Sequence, residues 1–488
     1  MDVTLTGAPA RTTLPRALAW ALGSGTVLQG LNSAVIAVAL VPIADHYGTS
    51  AAIPWLISGL YIASAVGSPT GGRLADLFGA RRIYLAGLVL VVLASVLGPF
   101  APSAGWLVAD RVLLGLGTSV QFPAAMAIIR READRRAAEV SGAIGVVALC
   151  GQSTAALAPT VGGLIVVVSG WPGIFWINLP LVANCLFWVW RCVPADPPRE
   201  KRGARAALRV MDVPGALLFV ATLSLTMTVL LSLENGTQGR DLALGAAAGL
   251  LAALLVLRER RCATPFLDLR LLAAHPAILM TCVRGTVTFV AFYTVFYGMP
   301  QWLEVGRGLG PAAAGLLMLP VFGVGVVSTL VATRWAARLG PGRLLLVGNA
   351  AFVVSGLVLA LTAGVESPLA LLVLVNVLLG IPTGFNNLGN QLTLHHASPA
   401  RASGSASGLY RTAQYIGAAI SAVLLTHLVP TDRAAGAAAL DTAVRDIGLC
   451  LVIIGFLLLA TGLTTHRRHH LSGQASSIGR NTKNGNRS

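Results

Sequence analysis

This chain has little charge. Only 11% of its residues are Asp, Glu, Lys or Arg and 55% are hydrophobic, whereas a soluble domain carries about 25% charged residues. That balance excludes an ordinary water-soluble globule and fits an integral membrane protein. Lysine is nearly missing. Of 35 basic residues only Lys201 and Lys483 are lysines, a bias that reads as genome composition rather than function. Six cysteines (Cys150, Cys185, Cys192, Cys262, Cys282 and Cys450) are scattered, all but Cys262 within apolar runs. They show no CxxC spacing or Cys/His cluster, so neither a disulfide framework nor a metal site is indicated. No Gly-rich Lys/Ser nucleotide motif occurs, so nothing points to ATP drive, to an enzyme or to a cofactor. A net charge of +16 would raise nucleic acid as a partner in a soluble chain. Here the arginines fall in short loops between apolar runs, which is topology rather than a binding face. Residues 1–16 are polar and lead into an apolar segment without a convincing cleavage site, so that segment reads as a retained first span.

What is abundant is long apolar runs. Fourteen are long enough to cross about 30 Å of hydrocarbon, at about 18–41, 54–72, 83–102, 106–128, 140–168, 172–193, 213–233, 241–257, 277–302, 312–333, 344–364, 368–392, 402–429 and 444–464. With both termini cytoplasmic, inner segments hold 28 basic residues and outer segments four, while Arg111, Arg284 and Arg411 lie inside spans. That asymmetry sets the orientation. Trp55, Trp106, Trp171 and Trp302 fall at the expected outer ends, where an aromatic belt would sit.

The loop after the second run reads Gly71-Gly72-Arg73-Leu74-Ala75-Asp76-Leu77-Phe78-Gly79-Ala80-Arg81-Arg82. Its paired glycines permit close backbone approach and Gly79 supplies a tight turn. Asp76 can pair with an arginine or face the positive N-terminus of a neighbouring helix. The run Arg334-Trp335-Ala336-Ala337-Arg338-Leu339-Gly340-Pro341-Gly342-Arg343 echoes it. Arg73, Gly79 and Arg82 match Arg334, Gly340 and Arg343, while Asp76 matches Ala337.

Within the spans, Arg111 follows Asp110 and precedes a Gly115-x-Gly117 pair. A charge inside a span is costly, so Arg111 should face the interior and have a partner, unless it snorkels to the outer interface. Asp110 points about 100° away around the helix. The fifth run carries Thr154, Ala158, Pro159, Gly162 and Gly163. Small residues on one face allow close helix contact and Pro159 favours a kink, so the run reads either as a bending element between two bundles or as small-residue packing. Gln29 and Asn32 are polar groups in the first run, and Gln121 lies in the fourth. In the second half Arg284, Asn376, Asn386, Asn387, Asn390, Gln391, Arg411 and Gln414 are polar within spans. They read as a stripe facing a central cavity or as interhelical hydrogen-bonding glue.

The loop after the second run closely resembles the signature loop between helices 2 and 3 of the major facilitator superfamily. Thr154-x-x-x-Ala158-Pro159-x-x-Gly162-Gly163 is similar to its antiporter signature, with Thr and Ala in place of two glycines. Together with the fourteen runs, these motifs resemble the fourteen-helix drug:proton antiporter family. The resemblance implies an all-α major facilitator fold. An N-terminal six-helix bundle would span 1–193, a cytoplasmic linker 194–212 and two inserted helices 213–270. A C-terminal six-helix bundle would span 271–464, followed by a polar, disordered cytoplasmic tail at 465–488. It implies an exporter of a drug, antibiotic or similar amphipathic metabolite in the cell membrane, acting as a monomer on a small molecule and protons by alternating access. Arg111 and Asp110 would serve proton coupling. Gly72, Arg73, Asp76, Gly79, Arg81, Arg82 and Arg401 would form the gating loop, with Asp76 meeting Arg401. Gln29, Asn32, Gln121, Arg284, Asn387, Arg411 and Gln414 would line the substrate cavity.

One departure matters. The family's first-helix aspartate is Asn32 here, so titration at that position does not carry over and coupling requires another acid, Asp110 or Glu304. A facilitator or importer of a small solute therefore stays open, as does, more remotely, a membrane receptor that transports nothing.

Overall fold

The structure, a computed structural model, describes residues 14–48, 52–136, 138, 141–196, 212–232, 239–262, 265–398, 403–430 and 436–484. The described residues are almost entirely helical, as buried backbone polar groups in a bilayer require. The long helices are α1 (Arg16–Ala34), α2 (Trp55–Phe78), α3 (Ala80–Leu97), α4 (Ala104–Arg136), α5 (Ser141–Ser169), α6 (Gly173–Cys192), α7 (Val213–Ser232) and α8 (Gly239–Arg261). They continue as α9 (Pro276–Arg307), α10 (311–339), α11 (341–362), α12 (Leu369–Ala397), α13 (Ser403–Leu428) and α14 (Ala437–Asn484). Among the described residues, eleven helices are long and apolar enough to cross a membrane. Leucines and valines on their outer faces, such as Leu361, Val168 and Leu93, are exposed to what would be lipid.

Helices α1 to α6 pack among themselves, with α1 against α5 and α6 and α4 against α2 and α3. Helices α9 to α14 do the same, with α9 against α13 and α14 and the α10–α11 pair against α12 and α14. The two groups meet where α5 lies on α10 and α2 on α13. Helices α7 and α8 pack on each other, and α7 also touches α2 and α13.

The internal echo is visible in the backbone. Gly79 between α2 and α3 has φ 106°, and Gly340 between α10 and α11 has φ 69°, values that L side chains rarely adopt. The same turn therefore reverses the chain at equivalent points of the two halves.

Two expectations fail. The tryptophan belt does not hold as a set: Trp106 is exposed, but Trp302 is fully buried with its Nε1–H donating to Leu440 O (2.8 Å), and Trp171 is buried beside Phe175. An indole in the interior is stable when its N–H finds an acceptor. The segment from 465, expected as a disordered tail, continues α14 as helix to Asn484. Once a helix is nucleated, each further residue adds a hydrogen bond at little cost.

Candidate functional site

Between the two helix groups lies a cavity of about 610 Å³, a size typical of small-molecule sites. Gln29, Asn387, Arg411 and Gln414 of the expected set line it. Asn32, Gln121 and Arg284 do not. Much of the remaining wall is aromatic: Tyr61 from α2, Phe122 from α4, Phe289, Phe292, Tyr293 and Phe296 from α9, and Tyr410 and Tyr415 from α13. Sequence reasoning missed these rings because an aromatic in an apolar run carries the same pattern whether it faces lipid or a cavity. The Arg411 guanidinium lies 4.5 Å from the Phe122 ring centroid, within the range of a cation–π contact. Arg411 Nε also donates to the Tyr415 hydroxyl at 3.4 Å, and Gln29 Nε2 donates to the same oxygen at 2.5 Å. Residues of α1 and α13, from opposite halves, thus converge on one phenol.

The cavity is closed at one end and open at the other. At the closed end the hydroxyls of Tyr61 and Tyr297 lie 2.8 Å apart, Tyr297 donates to Ser33 O (2.6 Å) and Ser58 Oγ donates to Ala419 O (3.3 Å). Below them α5 and α10 touch backbone to backbone: a Cβ on Gly163 would sit 2.4 Å from Pro311 O, and one on Gly315 2.5 Å from Pro159 O. Thr160 Oγ1 donates to Gly315 O at 2.9 Å. So Pro159 and Gly163 form a contact seam between the halves, whereas Gly162 is pressed against Val35 within the first half. Ala158 is buried, while Thr154 turns its hydroxyl onto Cys150 O. At the other end Gln391, His395 and Ser407 of the wall are exposed. That is the end carrying the turns at Gly79 and Gly340.

The polar residues of the first half form a separate buried network. Arg111 is 1% exposed. Its Nε donates to Leu56 O (3.1 Å) and its Nη2 to Asn32 O (3.0 Å), so backbone carbonyls of α2 and α1 hold the charge. Asn32 is sequestered from the cavity by a reciprocal amide pair: its Nδ2 donates to Asn178 Oδ1 (2.7 Å) and Asn178 Nδ2 to Asn32 Oδ1 (3.0 Å). Asp110 is buried next to Gly98 and Phe175, and neither carboxylate oxygen has a hydrogen-bond partner among the described residues. Gln121 is buried between α3 and α4, donating to Tyr84 O (3.3 Å) and Gly117 O (3.2 Å). It serves packing of the first half, and the expectation that it lines the cavity is corrected.

In the second half the expected stripe of α12 splits. Asn387 and Gln391 face the cavity, with Gln391 Nε2 donating to Asn387 Oδ1 (3.0 Å), while Asn386 and Asn390 are fully buried. Asn390 Oδ1 accepts from Arg284 Nε at 2.6 Å behind the cavity wall. Asn376 Nδ2 donates to Leu317 O (2.8 Å), joining α12 to α10. Successive positions on one helix turn are about 100° apart, so the four residues could not all share a narrow face. Glu304, the other acid considered for coupling, is fully buried near the closed end of α9.

The loop between α2 and α3 is held by a residue the sequence did not single out. Asp196, just past α6, accepts the backbone N–H groups of Arg81 (3.2 Å) and Arg82 (3.0 Å) at the start of α3 and pairs with Arg131 Nη1 at 2.6 Å. Burial pushes the Asp196 carboxyl up, but the Arg82 amide, Arg131 and the Arg81 amide outweigh it and hold it below the usual carboxylate range. A Cβ on Gly79 would sit 2.4 Å from Asp196 Oδ2, so glycine there is fixed by contact as well as by φ. Arg73 Nη2 donates to Pro265 O (2.6 Å), tying the loop to the segment after α8. Asp76 is exposed; Arg401, its expected gating partner, lies outside the described residues. Of the paired glycines, Gly71 makes the close approach, to Val120, and Gly72 has only ordinary contact with Pro123.

The family model described as Major Facilitator Superfamily matches residues 22–422. An uncharacterized MFS-type transporter of Bacillus subtilis, YwoD, is 32% identical over 408 residues, covering 83% of this chain and 88% of the relative. The multidrug efflux pump LfrA of Mycolicibacterium smegmatis is 28% identical, covering 87% and 83%. The tetracenomycin C resistance and export protein of Streptomyces glaucescens is 28% identical, covering 84% and 75%. Among solved structures, the D-xylose-proton symporter superposes with a TM-score of 0.65 at 15% identity, covering 91% of this chain and 97% of that one.

Proposed function

The chain belongs to the Major Facilitator Superfamily, a transporter rather than an enzyme, and on that footing we propose that it is a proton-coupled exporter of an amphipathic drug-like or antibiotic compound. The observation that carries the reading is the cavity between the helix groups, sealed at the Tyr61–Tyr297 end and open at the arginine-rich end. The relatives named for efflux and resistance support export as the direction. In this reading the protein spans the cell membrane fourteen times with both termini cytoplasmic and acts as a monomer. Helices α1–α6 and α9–α14 are the two bundles, 194–212 is the linker, and α7 and α8 are inserted. The open end faces the cytoplasm, and this is the loading state. The bundles rock about the α5–α10 seam, opening the Tyr61–Tyr297 side.

Proton coupling falls to Asp110. Arg111, held by two carbonyls, fixes the positive charge beside it without neutralising it in an ion pair. A buried carboxylate without hydrogen bonds is costly, so gaining or losing a proton there shifts the balance between states through differential stability. The gating loop Gly72–Arg82 would close the inner side by Asp76 meeting Arg401 in the other state.

The test is accumulation of a broad drug panel in a host lacking its own efflux pumps, with the protein shown to be in the membrane. Lower accumulation of some compound, abolished by a protonophore, supports the reading. Unchanged accumulation across the panel removes it.

A further inference from the structure

The charge of the compound can be read from the cavity wall. Of the described residues lining it, none is Asp or Glu, and the one guanidinium is that of Arg411. Arg411 makes no ion pair among the described residues. An arginine carries five N–H donors, and the only one with a hydrogen-bond acceptor among the described residues is Nε, on Tyr415. The Tyr415 oxygen already accepts from Gln29 and Arg411, which leaves its own proton to donate. Gln414 and Asn387 stand in the same wall. The polar part of the site is thus a set of neutral amides and hydroxyls around one fixed positive charge, with no described carboxylate to meet a cation. The rest is flat and apolar, from Phe122 on one side to Phe289, Phe292 and Tyr293 on the other. Aromatic faces also attract cations, but the Phe122 face is taken by Arg411 itself at 4.5 Å.

We infer that the compound carried is a planar aromatic anion, its carboxylate, enolate or phenolate meeting Arg411 and Tyr415 while its rings stack on the α4 and α9 aromatics. A guanidinium partly withdrawn from water gains most from a charge-assisted pair with an anionic oxygen, and a cationic compound would meet Arg411 with no acid to offset the repulsion. The inference rests on the export reading for direction but not for binding, so the two are separable.

The experiment uses the full chain in lipid nanodiscs with three probes of similar ring size: anthraquinone-2-carboxylate, its neutral carboxamide, and ethidium as the cation. The carboxylate is expected to bind about tenfold or more tighter than the carboxamide and ethidium, the worth of one charge-assisted hydrogen-bonded contact. Arg411→Gln removes the preference for carboxylate over carboxamide while leaving carboxamide binding in place, and Arg411→Lys retains part of it. Thermal unfolding of each variant verifies the fold. Ethidium binding as tightly as the carboxylate, no carboxylate binding, or a preference that survives Arg411→Gln overturns the inference. Cells then separate the two readings. Ethidium extruded independently of Arg411 leaves export standing and removes the anion site. Selective carboxylate binding without extrusion leaves the anion site and removes export.

Discussion

Arg111 and Asp110 are neighbours in sequence that do not pair. Arg111 donates to Leu56 O and Asn32 O, whereas the Asp110 carboxylate has no hydrogen-bond partner among the described residues. The two can therefore be separated by mutation. Asp110→Asn breaks no hydrogen bond, so the melting temperature should hold while gradient-driven export disappears. Arg111→Ala removes two charge-assisted hydrogen bonds onto buried helix carbonyls, at about 1–3 kcal/mol, and should lower both folded yield and export. Thermal unfolding beside accumulation assays checks both. Asp110→Asn with undiminished gradient-driven export would move coupling to another acid, Glu304 first.

Asn32 and Asn178 form a reciprocal buried amide pair. Asn32→Leu alone leaves the Asn178 amide unmatched and should destabilise the protein by about 1–3 kcal/mol, whereas the double change to Leu should recover much of that. A double-mutant cycle on unfolding temperature reads the coupling. Additive losses would mean that the pair contributes little.

How much of this was legible beforehand depends on the range of the interaction. Gly79 and Gly340 could be picked out because a sharp reversal between apolar runs needs a residue that tolerates positive φ, and both adopt it. Arg111 could be placed inside because a charge in a span has few alternatives. Gln29, Asn387, Arg411 and Gln414 line the cavity between the helix groups. Asn32 did not, because its partner Asn178 is 146 positions away and no local pattern encodes that meeting. Asp196 escaped for the same reason, 114 positions from Arg82. The aromatic wall was invisible because ring orientation is set by neighbouring helices rather than by spacing.

The α5–α10 seam should tolerate no bulk. Gly163→Leu forces a side chain into Pro311 O, so the halves cannot close there. Export should fall to background with the protein still folded. In the same background, Ser58→Cys at the sealed end should become reactive to a membrane-impermeant maleimide, although Ser58 is only 2% exposed here. Protection equal to that of the Ser58→Cys protein with Gly163 intact would show that the seam does not govern closure.

Asp196 makes the inner loop acid-sensitive in a definite direction. Its folded value lies below the ordinary carboxylate range, so the unfolded chain binds the proton more readily. The clamp contributes fully above the ordinary value of about 4 and is lost as pH falls from there through the folded value. Asp196→Asn should lower the melting temperature at neutral pH and flatten the acid limb of its pH dependence. Parallel curves for the two proteins between about pH 5 and pH 3 would contradict the assignment.

The most direct test of the account is efflux from proteoliposomes holding the full chain, with a pH gradient imposed across the membrane and an exported compound from the drug panel as cargo. Proton-coupled export through Asp110 predicts uphill movement of the compound against the proton flow, abolished by collapsing the gradient and by Asp110→Asn. Movement that only equilibrates the compound, at the same rate with and without the gradient and in both proteins, would contradict it and make the chain a facilitator.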